Sequence, residues 1–161
     1  MISTLNQILQ GLIKRSQAIT SCITAIHNTS KTLTTSLTTI QCPQAGDATG
    51  DILELTSNGG ISAKRECYCL VSGVVSIKSG LNEGDLLQIG YGIWNGTDTE
   101  FTAKATSRAL AATNECVSFP PTRIHLNAGD AVFLAARNIS GSRGVTATGY
   151  TTYLTVQCVS D

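Results

Sequence analysis

Apolar positions at the start of the chain recur in steps of three and four. Ile2, Leu5, Leu9, Leu12, Ser16, Ile19, Ile23, Ile26, Ser30, Leu33, Leu37 and Ile40 keep one register, and ten of these twelve are apolar. A 3.5-residue period held over more than five heptads predicts an α-helical coiled coil across residues 1–41. At about 1.5 Å per residue it would be a stalk roughly 60 Å long. Its seam would be Ile2, Leu5, Leu9, Leu12, Ile19, Ile23, Ile26, Leu33, Leu37 and Ile40. Isoleucine at the d positions 19, 26 and 40 favours three or four strands over two. The alternative is one amphipathic helix packed on its own domain. Thr29, Thr32, Thr34, Thr35, Thr38 and Thr39 weigh against helix in the second half, because β-branched residues lose rotamer freedom there. That threonine pattern would also suit the start of an extended fibre shaft.

Residues 42–50, with Pro43 and Gly46, read as a hinge, because both residue types interrupt regular structure. Beyond it, over 51–161, the period changes to two. The candidate strands are Asp51–Thr56, Glu66–Lys78, Asp85–Trp94, Phe101–Ala111, Thr122–Leu126, Ala131–Ile139 and Val145–Val159. Turn signals such as Ser57-Asn58-Gly59-Gly60, Asn95-Gly96 and Asn127-Ala128-Gly129-Asp130 separate them. No helical pattern intervenes, so the expected fold is mainly β, an antiparallel jelly-roll sandwich head on the stalk. Two segments, Leu81-Asn82-Glu83-Gly84-Asp85 and Leu126-Asn127-Ala128-Gly129-Asp130, share the form L-N-x-G-D. Each predicts a tight turn whose Asp bonds nearby backbone amides. Two isolated aspartates are too few for a calcium site of six or more oxygens.

Composition sharpens the division. The 161 residues carry 11 Lys and Arg against 11 Asp and Glu, yet the first acidic residue is Asp47. Residues 1–46 therefore carry +3 and residues 47–161 carry −3. The overall balance argues against a nucleic-acid binder, which needs a basic excess. No apolar run approaches the roughly 20 residues that span a bilayer, so membrane insertion is not expected. The first residues lack the basic and apolar regions of a signal peptide.

Candidate chemistry is sparse. His27 and His125 have no neighbouring Cys or carboxylate arrangement that makes a triad, so no catalytic residue and no enzyme are expected. Neither Asn58-Gly59-Gly60 nor Gly141-Ser142-Arg143-Gly144 has the lysine and following helix that cradle a phosphate. The six cysteines, at 22, 42, 67, 69, 116 and 158, include no C-x-x-C. Cys67 and Cys69 share a strand face without a nearby His, a poor zinc pattern. Buried free thiols are the expectation, with neither metal nor cofactor. Cys22 and Cys42 carry a lesser hypothesis of interchain disulfides. Tyr91, Trp94, Asn95 and Asp98 near the Asn95-Gly96 loop offer a ring beside amide and carboxylate groups, a sugar-stacking set; the competing role for Trp94 is a core or trimer contact.

Glu66-Cys67-Tyr68-Cys69-Leu70-Val71-Ser72-Gly73-Val74-Val75-Ser76-Ile77 resembles the early core strand pair of the tumour necrosis factor-like superfamily, which includes the complement-type globular heads. Val74 stands where that family usually has an aromatic. Ile124-His125-Leu126-Asn127-Ala128-Gly129-Asp130-Ala131-Val132-Phe133-Leu134 is similar to its L-x-x-G-D-x-V-x-L segment, and Gly149–Val156 to its closing strand. The resemblance covers roughly residues 50–159 and implies ten-stranded jelly rolls in tight trimers. A coiled-coil stalk with such a head also resembles bacteriophage head fibres and capsid-decoration proteins, as does the Thr/Ser/Gly/Ala-rich composition. The implied function is a non-enzymatic homotrimeric virion protein, made in the host cytoplasm. Its amino terminus would attach to a capsid or other virion protein. A receptor- or glycan-binding adhesin head, touching a host surface glycan, is the alternative, and a secreted complement-like recognition protein the third.

Overall fold

The computed structural model describes residues 19–110, 115–141, 145–147 and 151–159. All regular structure among them is β. Thirteen strands follow in chain order: β1 Ile19–Ile26, β2 Lys31–Leu33, β3 Thr38–Ile40, β4 Gln44–Thr49, β5 Leu53–Leu55, β6 Ile61–Ala63 and β7 Cys67–Ser79. Then come β8 Leu86–Trp94, β9 Thr99–Arg108, β10 Glu115–Leu126, β11 Ala131–Asn138, β12 Val145–Ala147 and β13 Tyr153–Val159. Every pairing is antiparallel.

Two sheets stack. The first runs β4-β1-β13-β7-β10, with β12 continuing beside the end of β7 and β2 outside it. The second runs β5-β6-β11-β8-β9, with β3 alongside β11. Alternation dictates what lies between them. Val71, Val75 and Ile77 from β7, Leu154 and Val156 from β13, and Leu126 from β10 point inward from the first sheet. Ile40, Ile61, Ile89, Val132 and Leu134 meet them from the second, all essentially without solvent exposure. At Gly73 an added Cβ would lie 2.7 Å from Leu134 Cδ1 and 2.8 Å from Phe119 Cε1. The Phe119 ring therefore occupies the volume over that glycine, and Val74 beside it points to the outer face.

The expected stalk is not a helix where the structure describes it. Seam positions Ile19, Ile23 and Ile26 lie on β1, Leu33 on β2 and Ile40 on β3, while Leu37 precedes β3. Ile23, Leu33 and Ile40 are buried in the jelly-roll core rather than set against another chain. The hinge is likewise a strand: β4 pairs β1 from Cys22↔Thr49 to Ile26↔Gln44. Here β-branched Ile and Thr prefer the pleated state, and tertiary pairing to β13 completes it. Seam positions Ile2, Leu5, Leu9 and Leu12 lie outside the described residues.

Both L-N-x-G-D segments form the expected turns. The Asn82 amide donates to Asp85 Oδ2 at 2.9 Å, and the Asn127 amide to Asp130 Oδ2 at 2.8 Å. In each the Asp amide returns to the Asn carbonyl at 3.1 Å. Gly84 and Gly129 adopt φ of 89° and 90°, the third-residue geometry of a type II turn. They launch β8 and β11, the two central strands of the second sheet. The Pro120-Pro121 pair falls at a register shift in β10, on a sheet edge that needs few amide donors.

Candidate functional site

The outer face of the second sheet carries an aromatic shelf. On β11 the buried Val132 and Leu134 point inward, so Phe133 points out. On β8 the same alternation turns Trp94 outward, and Phe101 follows on β9. Register places Phe133 opposite Gly92, and Gly92 opposite Phe101. Two glycines make room for the rings. A Cβ at Gly60 would lie 2.6 Å from Phe133 Cε1, and one at Gly92 2.9 Å from Phe101 Cε1. Trp94 and Phe101 stay 37% and 39% exposed, unusual for rings of that size away from a contact surface. Trp94 and Phe133 line an open depression of about 280 Å³ with Thr39, Gln41, Asn58 and Thr99.

The turn after Trp94 is fixed by the residues expected at a sugar site. Asn95 Oδ1 accepts from the amides of Thr97 and Asp98, each at 3.0 Å, and Asp98 Oδ1 accepts from the Thr99 amide at 2.7 Å. Asn95 and Asp98 thus hold Trp94 and Thr99 side by side. Tyr91 is not with them. It is 5% exposed and points between the sheets, its ring 6.1 Å from that of Phe119, with Lys104 Nζ 5.5 Å from its centroid. Of the four expected residues, Trp94 lines the depression, Asn95 and Asp98 shape its rim, and Tyr91 belongs to the core.

The outer face of the first sheet is a second candidate surface. Tyr68, Leu70 and Val74 project from β7, Tyr153 from β13, and Arg123 and His125 from β10. Tyr68 and His125 are register partners with ring centroids 4.8 Å apart. The Arg123 guanidinium sits 4.6 Å from the Tyr68 centroid, and His125 Nε2 lies 2.9 Å from Glu66 Oε1. Ring, cation and carboxylate are held in one plane of side chains beside the half-buried Leu70 and Val74.

None of the six thiols is in a disulfide. Cys42 is fully buried, and desolvation pushes its pKa up to about 12, which keeps it protonated and out of reach of another chain. The interchain-disulfide hypothesis fails at that residue for want of access. His27 is also buried, with Nδ1 against the Gln41 carbonyl, and so ties the end of β1 to the chain entering Cys42.

Two sheets in this order, with a continuous core and exposed outer faces, define a tumour necrosis factor-like jelly roll. Solved structures of that fold match the chain over most of its length. The crystal structure of murine APRIL at pH 5.0 superposes with a TM-score of 0.61 at 12% identity, covering 86% of this chain and 98% of that one. The vertex protein P5 of PRD1 gives 0.55 at 14% identity, over 88% and 97%. Eiger TNF from S. frugiperda gives 0.50 at 16% identity, over 87% and 92%. No protein-family model matches the chain, and no curated protein is significantly similar to it in sequence. The similarity is one of fold, to cytokine-like and phage proteins alike.

Proposed function

We propose that the chain is a non-enzymatic structural protein of a phage virion, a head fibre or capsid-decoration protein. It assembles as a homotrimer with the jelly-roll head displayed outward. Residues 1–18, which hold Ile2, Leu5, Leu9 and Leu12 at heptad spacing, attach it to the capsid or to another virion protein. The observation that carries the reading is the outer face of the first sheet, where Tyr68 and Tyr153 stand exposed beside Leu70 and Val74. A sheet face with exposed rings, and with its cation and carboxylate engaged beside them, is suited to burial against a second copy. The shared fold with the PRD1 vertex protein supports the virion setting.

Light scattering on the full chain should give three chains per particle. Tyr68→Glu combined with Tyr153→Glu should give folded single chains with an unchanged far-ultraviolet circular dichroism spectrum. A wild-type particle of one chain, or a double variant that stays trimeric, overturns the assembly. Deleting residues 1–18 should abolish incorporation into particles while leaving the head folded, and retained incorporation overturns the attachment.

The Trp94 shelf favours a second reading, a glycan-binding adhesin head. A ring at 37% exposure with hydroxyl and amide groups around it matches a sugar's apolar face and its hydroxyls. A glycan array with wild type and Trp94→Ala separates the two readings: binding lost with the ring supports the adhesin, and no bound glycan removes it.

A further inference from the structure

Three of the six thiols converge on one point. Cys67 and Cys69 are next-but-one neighbours on β7, so their side chains share a face. Cys158 on β13 is the register partner of Cys69. The three Sγ atoms lie within 4.8 Å of one another, and those of Cys67 and Cys69 are 3.5 Å apart. Cys69 and Cys158 are buried, whereas Cys67 is half-buried and opens on a depression that also involves Arg65 and Thr20. The cluster is thus closed on the core side and reachable from solvent on the other.

That spacing lets one metal ion engage all three thiols at once. A metal–sulfur bond of about 2.3 Å puts two sulfurs on one ion just under about 4 Å apart. The observed separations bracket that value, so small rotamer adjustments bring all three onto one ion. A disulfide would require about 2.05 Å between sulfurs and could use only two of the three. Cys67 and Cys69, two strand residues apart, have Cα atoms about 6.6 Å from each other, near the limit of what a disulfide bridges.

We propose that Cys67, Cys69 and Cys158 form a three-thiolate site for a thiophilic d¹⁰ metal ion, with Zn²⁺ and Cd²⁺ as its probes. The donor set is all sulfur, which selects soft ions over Mg²⁺ or Ca²⁺. Among the described residues no histidine or carboxylate atom joins the three sulfurs, so the fourth position of a tetrahedral ion faces the depression, which Glu66 also lines. Arg65 lines the same depression and bears on the Cys67 thiol, with Glu66 beside it. Loading exchanges up to three thiol protons for one cation, M²⁺ displacing three H⁺, with no electron transfer.

The test uses the full, reduced chain under anaerobic conditions. Titration with Cd²⁺ should produce a thiolate-to-metal charge-transfer band in the ultraviolet that saturates at one ion per chain. Cys158→Ser and Cys69→Ser should each weaken binding at least tenfold, and Cys116→Ser, an exposed thiol elsewhere, should change nothing. A band that is absent, or one that survives Cys158→Ser unchanged, overturns the site. A second measurement needs no variant. Zn²⁺ should slow iodoacetamide alkylation of Cys67 at least tenfold while Cys22 and Cys116 react at unchanged rates, and equal Cys67 rates with and without Zn²⁺ overturn the proposal. A Cys69–Cys158 disulfide in protein isolated without added oxidant, seen as the loss of two hydrogens in intact mass, overturns it as well.

Discussion

Ile23 and Ile26 distinguish the strand from the helix that their spacing suggests. In a coiled coil both sit on the seam and their truncations cost alike. On β1 they point to opposite faces. Ile23 is 5% exposed in the core, while Ile26 is half-buried and covers Gly46, where an added Cβ would lie 3.1 Å from Ile26 Cδ1. Ile23→Ala removes three carbons, worth about 2.4 kcal/mol at about 0.8 kcal/mol each. The residual cavity brings the cost towards about 3 kcal/mol, inside the range of about 2–5 kcal/mol for such truncations. For a chain of this size that lowers Tm by roughly 6–12 °C. Ile26→Ala loses only part of its contact surface and should cost about 1 kcal/mol or less. Thermal unfolding followed by circular dichroism reads both variants, at two protein concentrations a decade apart to separate core from subunit contacts. A loss at Ile26 equal to that at Ile23 would refute the strand assignment, and so would a helical spectrum that disappears in both variants.

Gly90 lies at the register shift between β8 and β9, and a Cβ there would sit 2.0 Å from the Thr102 carbonyl oxygen. Gly90→Ala should therefore destabilise by more than about 3 kcal/mol or abolish soluble expression, and a near-native melting curve would contradict the bulge geometry. Asp85→Ala and Asp130→Ala each remove the acceptor for an Asn amide in a launching turn. Each should cost about 1–3 kcal/mol in urea unfolding, and a loss below a few tenths would show that the backbone alone fixes the turn. Cys42 is held protonated in the fold, up to about 12 from an ordinary value near 9. Its stabilisation is present below pH 9 and is lost as pH rises towards 12, by up to about 1.4 kcal/mol per pH unit per buried thiol. Urea midpoints between pH 8 and pH 10.5 should fall, with a shallower slope in Cys42→Ala; identical slopes would sink the assignment.

The head was legible wherever a strand was long and its two faces differed. Alternation through Cys67-Tyr68-Cys69-Leu70-Val71 predicts a strand over 66–78, and β7 spans Cys67–Ser79. The strands expected over 85–94 and 131–139 are β8 and β11 to within a residue at each end. The twin turns were legible because Asn, Gly and Asp each have a distinct task there. The first strands were not. On β1 the inward residues Ser21, Ile23 and Ala25, followed by His27, include two polar side chains and one methyl, so burial does not show as hydrophobicity. The isoleucines at 19, 23 and 26 fall at heptad spacing while pointing to different faces. β2, β3, β5 and β6 span three residues each, too few to display a period. Long-range partners were out of reach for a different reason. Phe133 meets the Trp94 depression and Cys158 meets Cys69 only through strand register, which local sequence does not encode.

The void bounded by Leu33, Val75, Ile77, Leu87 and Val117 between the sheets has about 10 Å³, room for no more than one water. Two larger, open depressions lie at Trp94 and beside Cys67. Side-chain alternation turns Tyr68 to the outer face and Cys67 and Cys69 towards the core, although Tyr68 also borders the depression beside Cys67. Mutation tests whether the two uses are separate: Tyr68→Glu should weaken the proposed assembly at unchanged Cd²⁺ stoichiometry, and Cys69→Ser should weaken Cd²⁺ binding at unchanged oligomeric state. If one variant changed both readouts, assembly and thiol chemistry would belong to a single site.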